Sequence, residues 1–219
     1  MAGGFGKRLG NKNKNTPKPL IKIKNKPILE LIISKLENFN YKNIFISTHY
    51  LHNKIETFLK KRKSKANIQI IYEKSPLGTG GCLRLLPKTI SENLIVINGD
   101  IISNINLDEL EIFHKKRKND MTLCVAKYKN KIPFGVISFN NHQKLTSINE
   151  KPEINYFVLS GIYCLNKKII KSIKKEKTDI TDIIMQSKKT GKKIEVFPIF
   201  ENWNDIGSPE DLQKLNGQE

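Results

Sequence analysis

Three glycines within four positions stand near the start of the sequence: Gly3, Gly4 and Gly6, followed by the cations Lys7 and Arg8. Glycine lets backbone N–H groups approach a phosphate closely, and the two adjacent cations add positive charge. The spacing matches neither the GxxxxGK[ST] loop nor the GxGxxG fingerprint. A glycine cluster also serves as a plain turn, so the pattern indicates either a phosphate-binding loop or a turn.

A lysine between two prolines follows in Pro17-Lys18-Pro19. The prolines favour an extended backbone and restrict the direction in which Lys18 points. A lysine presented rigidly after a glycine loop suits a triphosphate. The alternative is a surface turn.

Two aspartates follow apolar segments that have the character of strands. Asp100 comes directly after residues 94–97, and Asp205 comes after residues 194–199. Open α/β sheets bind ligands at the carboxyl ends of their strands, and carboxylate oxygens suit Mg²⁺. If both strand ends face one crevice, the two aspartates could share a magnesium ion; otherwise each is an ordinary turn residue.

Two further segments have residue types that suit a ligand. Residues 76–81, with the sequence PLGTGG, form a second glycine-rich turn that could enclose a flat base. Glu150-Lys151-Pro152 offers another lysine fixed by a proline, with an acid beside it.

Hydrophobic periodicity predicts the elements that must position these residues. Continuous apolar runs separated by helices indicate parallel strands covered on both faces, followed by a mixed or antiparallel extension of the same sheet. Helices are predicted at 28–36, 51–61, 83–86, 107–118 and 180–187, and strands at 44–46, 68–72, 94–97, 121–128, 135–139, 145–148, 157–165 and 194–199. Ser208 and Pro209 have the N-cap and N1 character of a last helix. There is no internal repeat or linker, which favours one domain.

Composition narrows the class of protein. The 219 residues, 38% apolar and 27% charged, suffice for a core and exclude a wholly disordered chain. The net charge of +18 suggests nucleic acid, but only four of the 39 basic residues are arginine, which favours a solvated lysine-rich surface. Three scattered cysteines indicate neither a disulfide framework nor a zinc site. With no signal peptide and no apolar run of about 20 residues, we expect a cytoplasmic protein that binds no membrane.

The ordered motifs GGFGKRL, PKP, PLGTGG, NGD, EKP, GIY and WNDIG-PED resemble those of the sugar-1-phosphate nucleotidyltransferases, in particular the mannose-, heptose- and hexosamine-1-phosphate guanylyltransferase branch. The resemblance covers essentially the whole chain. It implies an α/β fold, a Rossmann-like three-layer α/β/α sandwich with a mixed central sheet. It also implies one domain over 1–219, with a phosphate-binding loop at 1–9 and an acceptor-binding part at about 119–200.

The resemblance also implies a role for each motif residue. The catalytic residues would be Arg8, Lys18 and Asp100, and the metal ligands Asp100 and Asp205. The nucleotide would be bound by Gly3, Gly4, Gly6, Lys7, Pro76, Gly78 and Thr79, with Gly78 and Thr79 against the base. The sugar phosphate would be bound by Glu150, Lys151 and Gly161.

The implied chemistry is Mg²⁺-dependent transfer of a nucleotidyl group from an NTP, GTP being the best candidate, to a sugar 1-phosphate, with release of pyrophosphate. An ionised phosphate needs no general base, so neither histidine nor cysteine is needed as a nucleophile. A homo-oligomer is compatible with these expectations. Two alternatives stay open: an inactive nucleotide- or sugar-nucleotide-binding regulatory subunit, and a phosphocholine cytidylyltransferase-like enzyme.

The sequence departs from the family pattern at two places. Family members carry an apolar strand just before the glycine loop, and here Met1 stands almost on the loop. A missing strand would leave an unfilled slot in the sheet. We therefore expect a late recorded start or a fragment; the third alternative is an impaired protein that lacks the strand. Relatives often have Asn-Ala before the glycine of the GIY motif, where this chain has Leu159-Ser160. The motifs name neither the base nor the sugar.

Overall fold

The computed structural model describes residues 15–174 and 177–217. Its strands are β1 Lys22–Ile23, β2 Lys26–Pro27, β3 Asn43–Thr48, β4 Asn67–Tyr72, β5 Asn93–Ile97, β6 Ile101–Ser103, β7 Met121–Lys131, β8 Val136–Phe139, β9 Leu145–Asn149, β10 Glu153–Asn166, β11 Ile194–Ile199 and β12 Trp203–Asp205. Its helices are α1 Ile28–Asn38, α2 His52–Lys61, α3 Gly78–Gly81, α4 Leu107–Arg117, α5 Lys167–Ser172, α6 Ile180–Lys189 and α7 Pro209–Asn216. Two 3₁₀ turns cover Lys18–Leu20 and Cys82–Leu85.

The largest sheet is mixed, as predicted. Its strand order is β11-β7-β10-β5. β11 is parallel to β7, while β10 is antiparallel to both β7 and β5. β3 and β4 form a separate parallel pair. The expected mixed character of the sheet is therefore confirmed, but among the described residues β5 pairs antiparallel and β3–β4 is not joined to the main sheet.

Side chains of the central strands alternate between two cores, one on each face of the sheet. Leu123 of β7 and Tyr163 of β10 belong to one core, which also contains residues of α5 and α6. Their neighbours Cys124 and Cys164 belong to the other core, with residues of α4. Burial on both faces explains why these strands are nearly continuous apolar runs in the sequence. The arrangement is the predicted three-layer sandwich.

Local sequence signals predicted the start of the last helix correctly. α7 begins where Ser208 and Pro209 predicted, and the Ser208 hydroxyl accepts a hydrogen bond from the Asp211 amide at 3.3 Å. At its other end Gly217 adopts a left-handed φ of 73°, the conformation that favours glycine after a helix. The side-chain cap and the terminal glycine together limit this last helix to eight residues.

The predicted extension of the sheet differs in one part. β7 and β10 belong to the main sheet and run past the core, but β8 and β9 pair only with each other within the described residues. All the residues of β8 and β9 are exposed. Because neither face of this two-stranded ribbon is covered, it has no core that would fix it in the main sheet.

A cavity of about 840 Å³ separates β3 from β5. Apolar side chains of both strands line it, together with side chains of α1 and of the Cys82–Leu85 turn. Among residues 15–174 and 177–217, no strand pairs with the facing edges of β3 and β5.

Candidate active site

An ion pair links the first proline-rich segment to the turn after β5. The Lys18 Nζ lies 2.5 Å from the Asp100 Oδ2, and the two side chains are only 13% and 27% exposed. Pro17 and Pro19 on either side of Lys18 are buried and anchor its backbone. Pro17 is extended as predicted, but Lys18 begins a 3₁₀ turn, a conformation that the fixed φ of Pro19 accommodates. The lysine therefore points at a carboxylate from a rigid support.

Asp100 and Asp205, far apart in sequence, are brought together by a short ribbon. β6 and β12 pair antiparallel, with Asp205 opposite Ile101. The pairing continues where the Ile206 amide donates to the Asp100 carbonyl oxygen at 3.1 Å. The backbones of the two aspartates are therefore neighbours. That their carboxylates face one crevice stays a prediction.

These two aspartates fit the needs of Mg²⁺. Magnesium in nucleotide enzymes is held by one or two carboxylates, with phosphate and water oxygens completing the shell. Among the residues that the structure describes, no group of three or more His, Cys, Asp or Glu side chains could hold a metal. The predicted binding of a magnesium ion by Asp100 and Asp205 stays a prediction.

The Trp203 side chain connects the β6–β12 ribbon to the main sheet through a hydrogen bond. Its Nε1 donates to the Ser160 carbonyl oxygen of β10 at 2.8 Å. Ser160 is fully buried, and its hydroxyl donates to the Cys124 carbonyl oxygen at 2.9 Å. In the Leu159-Ser160 pair, where the sequence departs from the family pattern, the Ser160 hydroxyl therefore connects β10 to β7.

Gly161 lies directly against the turn that carries Asp100. It has a φ of 76°, and a Cβ there would lie 2.8 Å from Asn98 Nδ2 and 2.9 Å from Ile101 Cγ1. Its carbonyl oxygen accepts from the Asn98 amide at 2.9 Å. The glycine is therefore required for the close approach of β10 to this turn, and its predicted contact with a sugar stays a prediction.

The second glycine-rich turn is held by residues far away in sequence. The Thr79 amide and hydroxyl both donate to Asp179 Oδ1, at 2.9 and 3.1 Å. The Leu77 amide donates to the buried Glu73 carboxylate at 3.2 Å. Pro76, Gly78 and Thr79 are exposed, as a nucleotide site requires.

The first glycine loop lies outside the described residues. Gly3, Gly4, Gly6, Lys7 and Arg8 all fall in this segment. Their predicted roles on the triphosphate stay predictions.

The thiols of the three cysteines are buried and free. Burial raises the pKa of all three thiols and brings that of Cys164 to about 12. They therefore remain protonated near neutral pH and are poor nucleophiles. This agrees with a reaction that uses no cysteine.

Comparison with known proteins gives this site a context. The model of the family described as nucleotidyl transferase matches residues 1–219. The chain belongs to that family.

Relatives of this chain include the mannose-1-phosphate guanylyltransferase catalytic subunit beta of Drosophila pseudoobscura pseudoobscura, 28% identical over 97% of this chain and 59% of that protein. The chain thus spans less than two thirds of the length of that relative. The D-glycero-alpha-D-manno-heptose 1-phosphate guanylyltransferase of Aneurinibacillus thermoaerophilus is 30% identical over 98% of this chain and 94% of that protein. The crystal structure of HddC from Yersinia pseudotuberculosis complexed with GMP-PN superposes with a TM-score of 0.76, at 27% identity, over 99% of this chain and 96% of that one.

Two residues predicted to bind the sugar phosphate come directly after β9 in the chain. Glu150 and Lys151 follow the β8–β9 ribbon and are exposed. Within the described residues neither forms an ion pair with Lys18 or Asp100, and Glu150 instead approaches Gly135, whose Cβ position would lie 2.9 Å from Glu150 Oε2. Their binding of a sugar phosphate stays a prediction.

Sequence reasoning missed the acids that support the second glycine turn. Asp179 is separated from Thr79 by 100 positions, so no local motif joins them. The one available signal was the position of Asp179 directly before a predicted helix, where aspartate is a common N-cap. No sequence pattern indicated a role for Glu73.

Proposed function

We propose that this chain catalyses nucleotidyl transfer from an NTP to a sugar 1-phosphate, giving an NDP-sugar and pyrophosphate. The observation that carries the proposal is the convergence of the Lys18 ammonium, the Asp100 carboxylate and the backbone of Asp205 at one edge of the sheet. Phosphoryl chemistry of this kind depends on positioning and charge neutralisation more than on covalent catalysis. An anchored lysine beside paired aspartates supplies both.

The reaction is an in-line displacement at the α-phosphorus. An anionic oxygen of the sugar 1-phosphate forms the new P–O bond, and the bond from the α-phosphorus to the pyrophosphate oxygen breaks. The attacking oxygen is already ionised, so no residue has to remove a proton from it. Lys18 would neutralise charge that accumulates on the phosphates, and Arg8 and Lys7 would face the departing pyrophosphate.

We propose Mg²⁺ as the metal, held by Asp100 and Asp205. When bound, it supplies Lewis-acid stabilisation of phosphate oxygens. The ion pair of the Asp100 carboxylate with the Lys18 ammonium supports a role for this carboxylate beside positive charge. The whole of 1–219 would act as one domain, with the acceptor bound by about residues 119–200.

We propose GTP as the nucleotide and a hexose or heptose 1-phosphate as the acceptor. Relatives named as guanylyltransferases for mannose- and heptose-1-phosphate support this choice, as does a similar structure that contains GMP-PN. Residues 76–81 would lie against the base. Glu150, Lys151 and Gly161 would lie in the acceptor pocket.

The test is a panel of four NTPs against mannose-, heptose-, glucose- and glucosamine-1-phosphates, with pyrophosphate release as the readout and choline phosphate as an additional acceptor. We expect release that requires Mg²⁺, an NTP and a sugar 1-phosphate together, with GTP preferred. Pyrophosphate release only with CTP and choline phosphate would indicate a phosphocholine cytidylyltransferase-like enzyme. NTP binding without release from any pair would indicate a regulatory subunit. Light scattering on the same samples tests whether the chain forms a homo-oligomer.

The structure bears on the membrane prediction in one respect. Among the described residues, no helix has the length and apolar character that crossing a bilayer requires.

A further inference from the structure

The turn Leu77–Gly81, which includes the single-turn helix α3, is bound along its length to the segment before α6. The Thr178 amide donates to the Leu77 carbonyl oxygen at 2.9 Å, and the Gly80 and Gly81 amides both donate to the Thr178 carbonyl oxygen at 3.0 Å. Asp179 adds two side-chain contacts, both to Thr79. Two surface segments about a hundred residues apart thus form one hydrogen-bonded unit.

Asp179 occupies the donor groups of Thr79. The Thr79 amide and hydroxyl both donate to Asp179 Oδ1, and the same hydroxyl oxygen accepts from the Ile180 amide at 3.0 Å. A hydroxyl has a single hydrogen, so its donor capacity is used. Neither polar hydrogen of Thr79 is therefore available to a nucleobase.

The glycines of the turn allow this close contact. A Cβ on Gly78 would lie 2.6 Å from the Thr178 carbonyl oxygen and 2.8 Å from Asp179 Oδ1, and Gly78 has a φ of 79°. A Cβ on Gly80 would lie 2.5 Å from Ile183 Cδ1 of α6. These glycines are thus explained by their packing against 178–183, in addition to any approach of a ligand.

We infer that Asp179 is a positioning residue of the nucleotide site. It holds the turn Leu77–Gly81 in the shape that receives the base, and the base meets the backbone of this turn and not the Thr79 hydroxyl. This inference rests on the proposed function, because it takes residues 76–79 as the base-binding segment. Glu73 supports the other end of the turn through the Leu77 amide.

Removing the carboxylate should loosen the nucleotide site without changing the reacting groups. Asp179→Ala deletes the acceptor of two Thr79 hydrogen bonds, one of them to a backbone amide. Hydrogen bonds to charged groups are stronger than those between neutral groups, and they contribute less where both partners are exposed, as they are here. We expect the KM for GTP to rise roughly fivefold to tenfold, with kcat and the KM for the sugar 1-phosphate changed by less than about twofold.

A conservative variant and a matched control separate positioning from helix capping. Asp179→Asn keeps an Oδ1 acceptor and should restore the KM for GTP to within about twofold of the unmodified chain. Asp182→Ala, in the first turn of the same helix, removes the Oδ2 that accepts from the Asp179 amide and does not touch Thr79. It should lower thermal stability, though by less than Asp179→Ala because it removes one hydrogen bond and not two, while leaving the KM for GTP unchanged. An equal rise in KM for both alanine variants overturns the inference.

Selectivity provides a second, independent readout. Thr79→Val removes the hydroxyl but keeps the amide, so the ratio of kcat/KM for GTP to that for each other NTP should stay within about twofold. A change of more than about tenfold would mean that the Thr79 hydroxyl reads the base, which overturns the inference.

Hydrogen exchange distinguishes failure of this inference from failure of the proposed function. In the nucleotide-free chain, the amides of 77–81 should exchange faster in Asp179→Ala than in Asp179→Asn or Asp182→Ala. Equal exchange in an active chain overturns the positioning role alone. If the unmodified chain releases no pyrophosphate from any NTP and acceptor pair, the proposed function fails and the nucleotide role of Asp179 fails with it, whatever the exchange shows.

Discussion

The Lys18 ammonium and the Asp100 carboxylate, 82 positions apart in the sequence, lie 2.5 Å from each other at a partly buried edge of the sheet. Each comes from a short turn next to a rigid element, Lys18 from between two buried prolines and Asp100 from the end of β5. A charge held in this way is preorganised, because neither side chain has to search for its position when a substrate arrives.

Lys18→Ala should therefore act mainly on turnover. We expect kcat to fall on the order of 10²- to 10³-fold, the usual loss when one preorganised electrostatic group is removed. Steady-state pyrophosphate release at saturating NTP measures it. Lys22→Ala, at an exposed position four residues further on, is the control and should stay within about twofold of the unmodified chain. A comparable loss in both variants would mean that general positive charge, and not the Lys18–Asp100 geometry, matters.

Asp205→Asn should change the dependence on metal. The variant keeps the backbone pairing of β12 with β6 but weakens one of the two proposed oxygen ligands. We expect the Mg²⁺ concentration for half-maximal activity to rise about tenfold, with activity partly restored at high Mg²⁺, and EDTA to abolish activity in both proteins. Asp108→Asn, at an exposed aspartate in the first turn of α4, should leave the Mg²⁺ dependence unchanged.

Much of the fold could be predicted because its signals are local. α1, α6 and α7 follow from helical spacing and N-cap residues, and β5, β7 and β11 from apolar runs covered on both faces. The β6–β12 ribbon was not predicted, since its strands are three residues each and their pairing joins segments about a hundred residues apart. Short strands carry almost no periodicity, so pairing of this kind emerges only in three dimensions.

The same difference between local signals and long-range contacts applies to the candidate site. Lys18, Asp100 and Asp205 stand out in the sequence because prolines or strand ends mark them, and the structure brings their segments to one edge. Asp179 and Glu73 support the second glycine turn from elsewhere in the chain, and each accepts from a backbone amide, a group that has no sequence signature. Supporting residues are therefore harder to predict than the residues they support.

Gly161→Ala should destabilise the fold more than a comparable change elsewhere. The new methyl group would require a left-handed φ of 76° and would also press on Asn98 and Ile101. We expect the free energy of unfolding to fall by about 2 to 4 kcal/mol, the sum of backbone strain and local overpacking. Gly191→Ala is the matched control, because Gly191 has a φ of 70° with no atom within 4 Å of a new Cβ. It should cost about 1 kcal/mol, and denaturant titration measures both; equal costs would show that the contact with Asn98 and Ile101 is unimportant.

Arg62 connects α1 to the end of α2 through a partly buried network. Its guanidinium donates to Glu37 through both terminal nitrogens, at 2.9 and 2.7 Å, and to Glu30 through Nε at 2.9 Å. The Arg62 and Glu37 side chains are only 8% and 9% exposed. Hydrogen bonds from Arg62 hold the pKa of the Glu37 carboxyl well below its usual 4.5. Removing the arginine would leave two carboxylates without their cation.

Arg62→Ala should therefore lower the free energy of unfolding by about 2 to 3 kcal/mol at pH 7, less than for a fully buried pair because water reaches the rim. The pH dependence has a definite sign. A depressed carboxyl pKa contributes stability that is fully present above about pH 4.5 and is lost as the pH falls toward the lowered value in the folded state.

Glu37→Gln tests that sign. The difference in unfolding free energy between the unmodified chain and this variant should be constant from pH 7 to about pH 5 and shrink below pH 4.5, as measured by urea titration at each pH. Glu56→Gln, which breaks an exposed pair with Lys60 on α2, is the control and should show little difference at any pH. A Glu37→Gln difference that does not change between pH 7 and pH 3 would mean that the carboxylate charge does not hold Arg62 in place.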